Sequence, residues 1–226
     1  MVRGAVFFDV DGTLVPQTSS GQHLADLLGH ADVVREAEAG YAAGTLSNRE
    51  VSVLDARGWA GRTPAHVRDF LESLPLVDGI AETVAWCRRQ DLLPVLATLA
   101  WEPVGTYLCE RFGFGHASGP RLEVIEGCYS GEVAEHFDET GKRDFALGVA
   151  AELGVDPARC AAIGDSRSDL PLFSAVGLAI AFNATSVARS AAHAEADGGD
   201  LRAVLPLLSR WLHAHPHIDV SGRPAD

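Results

Sequence analysis

The sequence predicts an α/β fold: a parallel sheet with helices on both faces and a small helical cap inserted after the first strand. Two observations carry the sheet. Short continuous apolar runs recur, each closing on a polar residue, and helical patterns lie between them. A third observation carries the insert. The stretch after the first run holds helical patterns but no strand, and it is too long for a simple strand-to-helix connection.

Taken in order, "AVFF" at 5–8 has the two-sided apolarity of a buried parallel strand and ends at Asp9, where "DGT" turns the chain. Residues 16–74 form the cap, with "GQHLADLLG" and "TPAHVRDFLESL" as its helical stretches and "PLVDG" as the return. A helix at 80–90 leads to a second strand, "LLPVLA" at 92–97, which ends at Thr98. A helix follows at 102–112. Two alternating runs around a Gly-containing turn at 120–134 predict a β-hairpin. The helix at 141–154 precedes a third strand, "CAAIG" at 160–164, which ends at Asp165. The fourth, "GLAIAF", ends near Asn183, and 186–194 reads as helix. The expected division is a core of 1–15 and 75–212, a cap of 16–74, and a mobile tail of 213–226, which is polar and aperiodic. Parallel sheets bind ligands at the carboxyl ends of their strands, so Asp9, Thr98 and Asp165 are expected on one edge.

Composition narrows the partners. The net charge of −13 argues against nucleic acid or an anionic membrane. No apolar run reaches the roughly 18–20 residues of a membrane span, and the N-terminus lacks a signal peptide's h-region. Cys87, Cys109, Cys128 and Cys160 are widely separated and are expected as reduced thiols in a cytoplasmic protein. His213, His215 and His217 have no carboxylate or Cys spacing beside them and are not read as a zinc site. His136 and Asp138 are expected at the surface.

Two acidic pairs carry the chemistry. Asp9 and Asp11 follow the first strand; if the strand continued that far, alternation would put them on one side. Asp165 and Asp169 lie in "IGDSRSDLPLF". A helix capped by Ser168 would explain Asp169 but not Asp165, which follows an apolar strand directly. Carboxylates converging on one sheet edge repel each other unless a cation sits among them, and hard oxygen ligands suit Mg²⁺. The chain holds 18 Lys and Arg residues, and Lys142 is its only lysine. A compact ammonium can neutralise carboxylate charge and hold a phosphate oxygen, and Thr98 offers a hydroxyl donor. Asp9 can then attack phosphorus as a carboxylate nucleophile. Asp11 can protonate the leaving alcohol and later take a proton from water.

At these residues the chain resembles the haloacid dehalogenase (HAD) superfamily, in its phosphoserine-phosphatase-like branch. "DVDGT" at 9–13 matches the first family motif, Thr98 the second, Lys142 the third, and "GDSRSD" at 164–169 the fourth. The resemblance implies a Rossmann-like core, Mg²⁺, an Asp nucleophile and a helical cap. It implies a metal held by Asp9, the backbone carbonyl of Asp11, and Asp165, with Asp169 behind them or near Lys142. Thr13 and Leu99, within the first and second motifs, are expected around the phosphate.

The chain departs from close phosphoserine phosphatases in two places. They carry a Glu nine residues after the nucleophile, for the substrate amino group; here stands Thr18. They read Ser-Gly-Gly at the second motif; here it is "TLAW", with Leu99, Ala100 and Trp101. Thr18, Arg57 and Trp101 are the candidate substrate contacts, with Trp59 nearby, although Arg57 is better explained as a solvated helix end. A neutral hydroxylated lining beside Trp101 would suit a larger, less cationic ester than phosphoserine. The expected function is a Mg²⁺-dependent phosphatase acting on a small phosphorylated metabolite. The alternatives are a phosphotransferase or phosphomutase using the same aspartyl-phosphate, and a non-catalytic phosphometabolite-binding protein. Oligomeric state is not legible.

Overall fold

The computed structural model describes residues 2–214. The chain runs β1 (Gly4–Phe8), then α1 (Ser20–Leu28), α2 (Ala31–Ala42), α3 (Asn48–Ala56) and α4 (Pro64–Leu71) before returning through α5 (Ile80–Arg89) to β2 (Leu92–Leu96). Then come α6 (Glu102–Phe112), the hairpin of β3 (Arg121–Ile125) and β4 (Cys128–Glu135), α7 (Glu139–Glu152) and β5 (Ala161–Gly164). The last elements are α8 (Leu170–Phe173), β6 (Leu178–Phe182), α9 (Ser186–Ala191), β7 (Ala194–Ala196) and α10 (Leu205–Ala214).

The main sheet has the order β2-β1-β5-β6-β7 and every pairing in it is parallel. All five residues of β1 are buried, and alternate side chains enter different cores. Val6 and Phe8 join α5, α6 and α10 on one face. Ala5 and Phe7 join α7, α8 and α9 on the other. Each buried Phe contributes roughly 1.5–3 kcal/mol from the area it removes from water. Because the chain leaves β1 in both directions across the sheet, the crevice beyond the carboxyl end of β1 is the topological switch point where such folds place ligands.

The sequence places β1, β2, β5, β6, the hairpin and α6 within a residue or two. Five elements were not expected: α2 and α3 in the insert, α8 and α10 near the end, and the edge strand β7. The helix expected over 186–194 stops at Ala191, and 194–196 form the edge strand β7, a run too short to show a period. The expected tail begins inside α10, whose last turn holds His213; the remainder, with His215 and His217, lies outside the described residues.

The hairpin packs on the insert rather than standing apart. Glu126 and Gly127 at its turn both have positive φ, as tight two-residue hairpin turns require. Tyr129 exchanges backbone hydrogen bonds with the end of the insert: Gly61 N donates to Tyr129 O and Tyr129 N to Arg62 O, both at 2.9 Å. The Tyr129 ring meets Trp59 edge-on at 5.3 Å, and Trp59 meets Trp101 at 6.0 Å. All four cysteines are free thiols. Among the described residues, no helix is long and apolar enough to cross a membrane.

Candidate active site

Three adjacent strands deliver the floor of the site. Asp9 prolongs the β1 ladder, its N–H donating to Ile163 O at 2.9 Å, so the carboxylate sits at a fixed height above the sheet. Thr98 follows β2 by two residues and Asp165 follows β5 directly. Lys142 lies in the first turns of α7, whose start is fixed by Asp138 accepting from Gly141 N at 2.8 Å. From there its Nζ donates to Asp9 Oδ1 at 2.8 Å and to Asp169 Oδ1 at 2.6 Å, with the side chain fully buried. Asp169 is completed by two backbone donors, Asp165 N at 3.0 Å and Ser166 N at 3.1 Å, both on Oδ2. Ser166, not Ser168, thus stands at the start of the turn that holds Asp169.

Two glycines make room for these carboxylates. Gly12 has φ of 84°, and a Cβ there would lie 2.3 Å from an Asp165 oxygen. A Cβ on Gly164 would lie 2.2 Å from the Asp169 carboxyl carbon. No side chain larger than hydrogen fits at either position without moving a carboxylate.

Asp11 behaves differently from the simple alternation picture. The strand ends at Phe8, and the Asp11 carboxylate accepts from Ser20 N at 2.6 Å, at the start of α1. The converging oxygens belong to Asp9, Asp165 and Asp169, all within 4.8 Å of one another. Asp11 and Asp9 nevertheless both line an inner pocket of about 220 Å³. Thr98 and Leu99 line it as well. Thr98 is held by Ser118, a residue without a sequence signal: Thr98 N donates to Ser118 Oγ and Ser118 Oγ donates to Thr98 O, both at 2.9 Å. Ala100 N donates to Thr98 Oγ1 at 3.1 Å, which leaves the hydroxyl proton free to face a ligand. Thr13 is buried below, its hydroxyl without a partner.

Electrostatics at this floor are dominated by burial. Desolvation pushes Asp9 up to about 7 against the pull of Lys142, and pushes Asp165 up to about 9 with help from Asp9 and Asp169. Burial also raises Asp11. For Lys142, desolvation alone would lower the ammonium, but Asp169 and Asp9 outweigh it and hold it charged. One ammonium thus faces three carboxylates, and the buried Asp165 Oδ1 has no hydrogen-bond partner. An all-oxygen, over-negative set with an unpaired carboxylate oxygen fits a hard divalent cation.

The walls come from the insert and from the loop after β2. Asp55 at the end of α3 accepts from Trp101 Nε1 at 2.6 Å and Trp59 Nε1 at 3.0 Å, and pairs with His30 Nε2 at 2.7 Å. Glu38 of α2 lines both the inner pocket and an adjoining outer cleft of about 1110 Å³. Of the expected substrate contacts, Trp101 lines the inner pocket and Thr18 the outer cleft. Arg57 is exposed at the end of α3 and borders neither. Nor is the lining neutral, because Glu38 and Asp55 are part of it. "VLDARGW" contains Asp55, but only its distant partners His30 and Trp101 give it meaning.

A strand-end Asp nucleophile candidate, a buried lysine and a second acidic pair on a parallel sheet define a hydrolase class. The family profile for haloacid dehalogenase-like hydrolases matches residues 6–174, and the chain belongs to that family. Within it, the chain falls in the phosphoserine-phosphatase-like branch. It is 30% identical over 204 residues to a phosphoserine phosphatase of Streptomyces coelicolor, covering 90% of this chain and 50% of that one. It is 25% identical over 210 residues to a phosphoserine phosphatase of Albidiferax ferrireducens, covering 90% and 88%. The chain thus spans half of the first relative and most of the second. A solved phospho-aspartyl intermediate analogue of phosphoserine phosphatase superposes with a TM-score of 0.82 at 22% identity, over 92% of this chain and 99% of that one, a likeness of fold.

Proposed function

We propose that this enzyme is a Mg²⁺-dependent phosphomonoesterase that hydrolyses the ester of a small alcohol through an aspartyl-phosphate on Asp9, in the cytoplasm. Residues 1–15 and 75–212 act as the core and 16–74 as the cap over the pocket. The observation that carries this reading is the buried bridge from Lys142 to Asp9 and Asp169, with Asp9 lining the inner pocket and Asp165, whose oxygens converge with theirs, lining the outer cleft.

Asp9, Asp165 and the backbone carbonyl of Asp11 would hold the metal. The oxygens of Asp169 are already engaged by Lys142 and two backbone amides, which makes it a positioning group for both. When bound, Mg²⁺ supplies charge neutralisation for the carboxylates and for phosphate oxygens. Lys142 holds a phosphate oxygen and offsets part of the burial that raises Asp9, and the Thr98 hydroxyl donates to another phosphate oxygen. Asp9 forms the new bond to phosphorus as the ester P–O bond breaks, and the departing alkoxide takes its proton from the Asp11 carboxyl. Asp11 then takes a proton from water as that oxygen attacks phosphorus, and the P–O bond to Asp9 breaks. Ser20 N, hydrogen-bonded to Asp11, fixes where that proton is held. Asp11, through Ser20, also joins the chemistry to the first helix of the insert.

Phosphate release from an aryl phosphate with Mg²⁺ and with chelator tests this reading. Turnover is expected only with the metal. Asp9→Asn is expected to lose activity on the order of 10⁶-fold, the scale of deleting a covalent nucleophile, with an unchanged circular dichroism spectrum. Full turnover by Asp9→Asn would remove it as nucleophile.

A further inference from the structure

The inner pocket tells what kind of alcohol the ester carries. Its wall presents two carboxylates, Glu38 and Asp55, beyond those of Asp9 and Asp11. Among the described residues that line it there is no Arg, Lys or His. Lys142 does not line the wall: it is held at the Asp9 end of the site, where the phosphate is placed, by its pairs with Asp9 and Asp169. Beyond the Thr98 and Ser20 hydroxyls, three of the neutral donors that line the pocket are committed. Tyr41 OH donates to Glu139 at 2.5 Å, Asn48 Nδ2 to Phe137 O at 2.6 Å, and Trp101 Nε1 to Asp55. A substrate carboxylate in the inner pocket would meet like charge with no cation among its lining residues to balance it; Arg167, stacked on Tyr41, and Arg35, in the outer cleft, are paired with Glu139 and Asp32.

A cationic group meets the opposite situation. Glu38 lines both the inner pocket and the outer cleft, and among the described residues its one hydrogen-bond donor is Ser19 Oγ. Burial holds its carboxyl up to about 7, with Asp11 and Asp55 raising it further, which marks a carboxylate short of positive charge. Beside it, the Ser20 side chain lines the same pocket, is buried, and its hydroxyl has no partner. The Glu38 carboxylate suits an ammonium and the Ser20 hydroxyl an adjacent polar atom.

We propose that the pocket selects phosphate esters of small amino alcohols that carry no carboxylate, with Glu38 as the group that meets the ammonium and Asp55 as part of the wall that rejects an acid. This deepens the phosphomonoesterase reading and rests on it for the position of the phosphate. It accords with Thr18 standing where close phosphoserine phosphatases carry Glu: the acidic contact comes from α2 instead.

Calorimetric titration of the full chain with Mg²⁺ tests it without needing turnover. Four probes separate the charges: O-phosphoethanolamine (ammonium), ethylene glycol monophosphate (neutral), 2-phosphoglycolate (carboxylate) and O-phosphoserine (both). O-phosphoethanolamine is expected to bind about tenfold or more tightly than either carboxylate probe. Glu38→Gln is expected to shrink its advantage over the neutral ester to about twofold or less, and Glu38→Asp to keep more of it. A carboxylate probe binding as tightly as O-phosphoethanolamine overturns the proposal. So does an undiminished advantage in Glu38→Gln, or no binding of any probe. The wild-type ranking decides by itself should the variant not fold. Aryl phosphate hydrolysis judges the phosphatase reading separately: its success alongside the wrong ranking sinks only the selectivity.

Discussion

Two buried aspartates anchor the two parts of the site, one in the core and one in the insert. Asp169, on the core floor, receives a full positive charge from Lys142 and two backbone N–H groups. Asp55, on the insert wall, receives two indole N–H groups and one histidine nitrogen. Each is saturated with donors, yet they serve different ends. The first fixes an ammonium against a reacting carboxylate. The second ties Trp59 and Trp101 into one aromatic cluster and gives the pocket its shape. Saturation alone therefore does not mark chemistry; the charge of the donor and what lies on its far side do.

Breaking the floor should have the largest effect. Lys142→Ala strands Asp9 and Asp169 as buried, unpaired charges and is expected to cost about 3–5 kcal/mol in denaturant unfolding, with turnover lost. Lys142→Arg keeps the charge but not the compact shape. It is expected to lower turnover on the order of 10²–10³-fold; near-normal turnover would show that any cation suffices there.

Breaking the wall should cost less. Asp55→Asn turns an amide toward at least one donor it formerly accepted from, with an expected loss of about 1–3 kcal/mol. Tryptophan fluorescence should shift with it. If Asp55→Asn destabilised as much as Lys142→Ala, the distinction between the buried ammonium and the indole donors would fail.

A milder test needs no substitution. Above about pH 4 an unfolded aspartate has released its proton. In the folded metal-free chain, Asp9 is held up to about 7 and Asp165 up to about 9, both by burial first. Raised carboxyls stabilise fully below the unfolded value, and that contribution is lost as pH rises through the folded values. The melting temperature of the metal-free protein should therefore fall as pH rises through 7 and 9, and Mg²⁺, which favours the ionised carboxylates, should flatten the fall. Thermal melts with and without chelator measure this, and a flat metal-free profile would contradict it. The smallest effect belongs to the exposed Arg121–Glu135 pair on the hairpin, 2.8 Å apart. Arg121→Ala should leave the melting temperature unchanged within error.

The same two sides explain what the sequence could disclose. Asp9, Thr98, Lys142 and Asp165 each sit beside a strand end or in a distinctive short motif, so local pattern plus parallel topology brings them together. Asp169 was visible for the same reason. Asp55, Glu38 and Ser20 were not, because their roles depend on how four insert helices stack over the sheet, and α2 and α3 lacked a clear period. Arg57 is exposed, as a solvated helix end should be, and it is the acid two residues earlier that turns inward. Asp11 was found by motif, while its bond to Ser20 N depended on the loop between them, which no periodicity describes.

The bonds between Tyr129 and residues 61 and 62 reach beyond stability. They tie together two stretches encoded far apart, and the Tyr129 ring on Trp59 makes the seam depend on side chains from both. A chimera that borrows 16–74 from a relative lacking that Trp but keeps its own 120–135 is expected to lose the ring contact. One that exchanges both stretches keeps it, so the smallest unit of successful recombination in this chain is discontinuous.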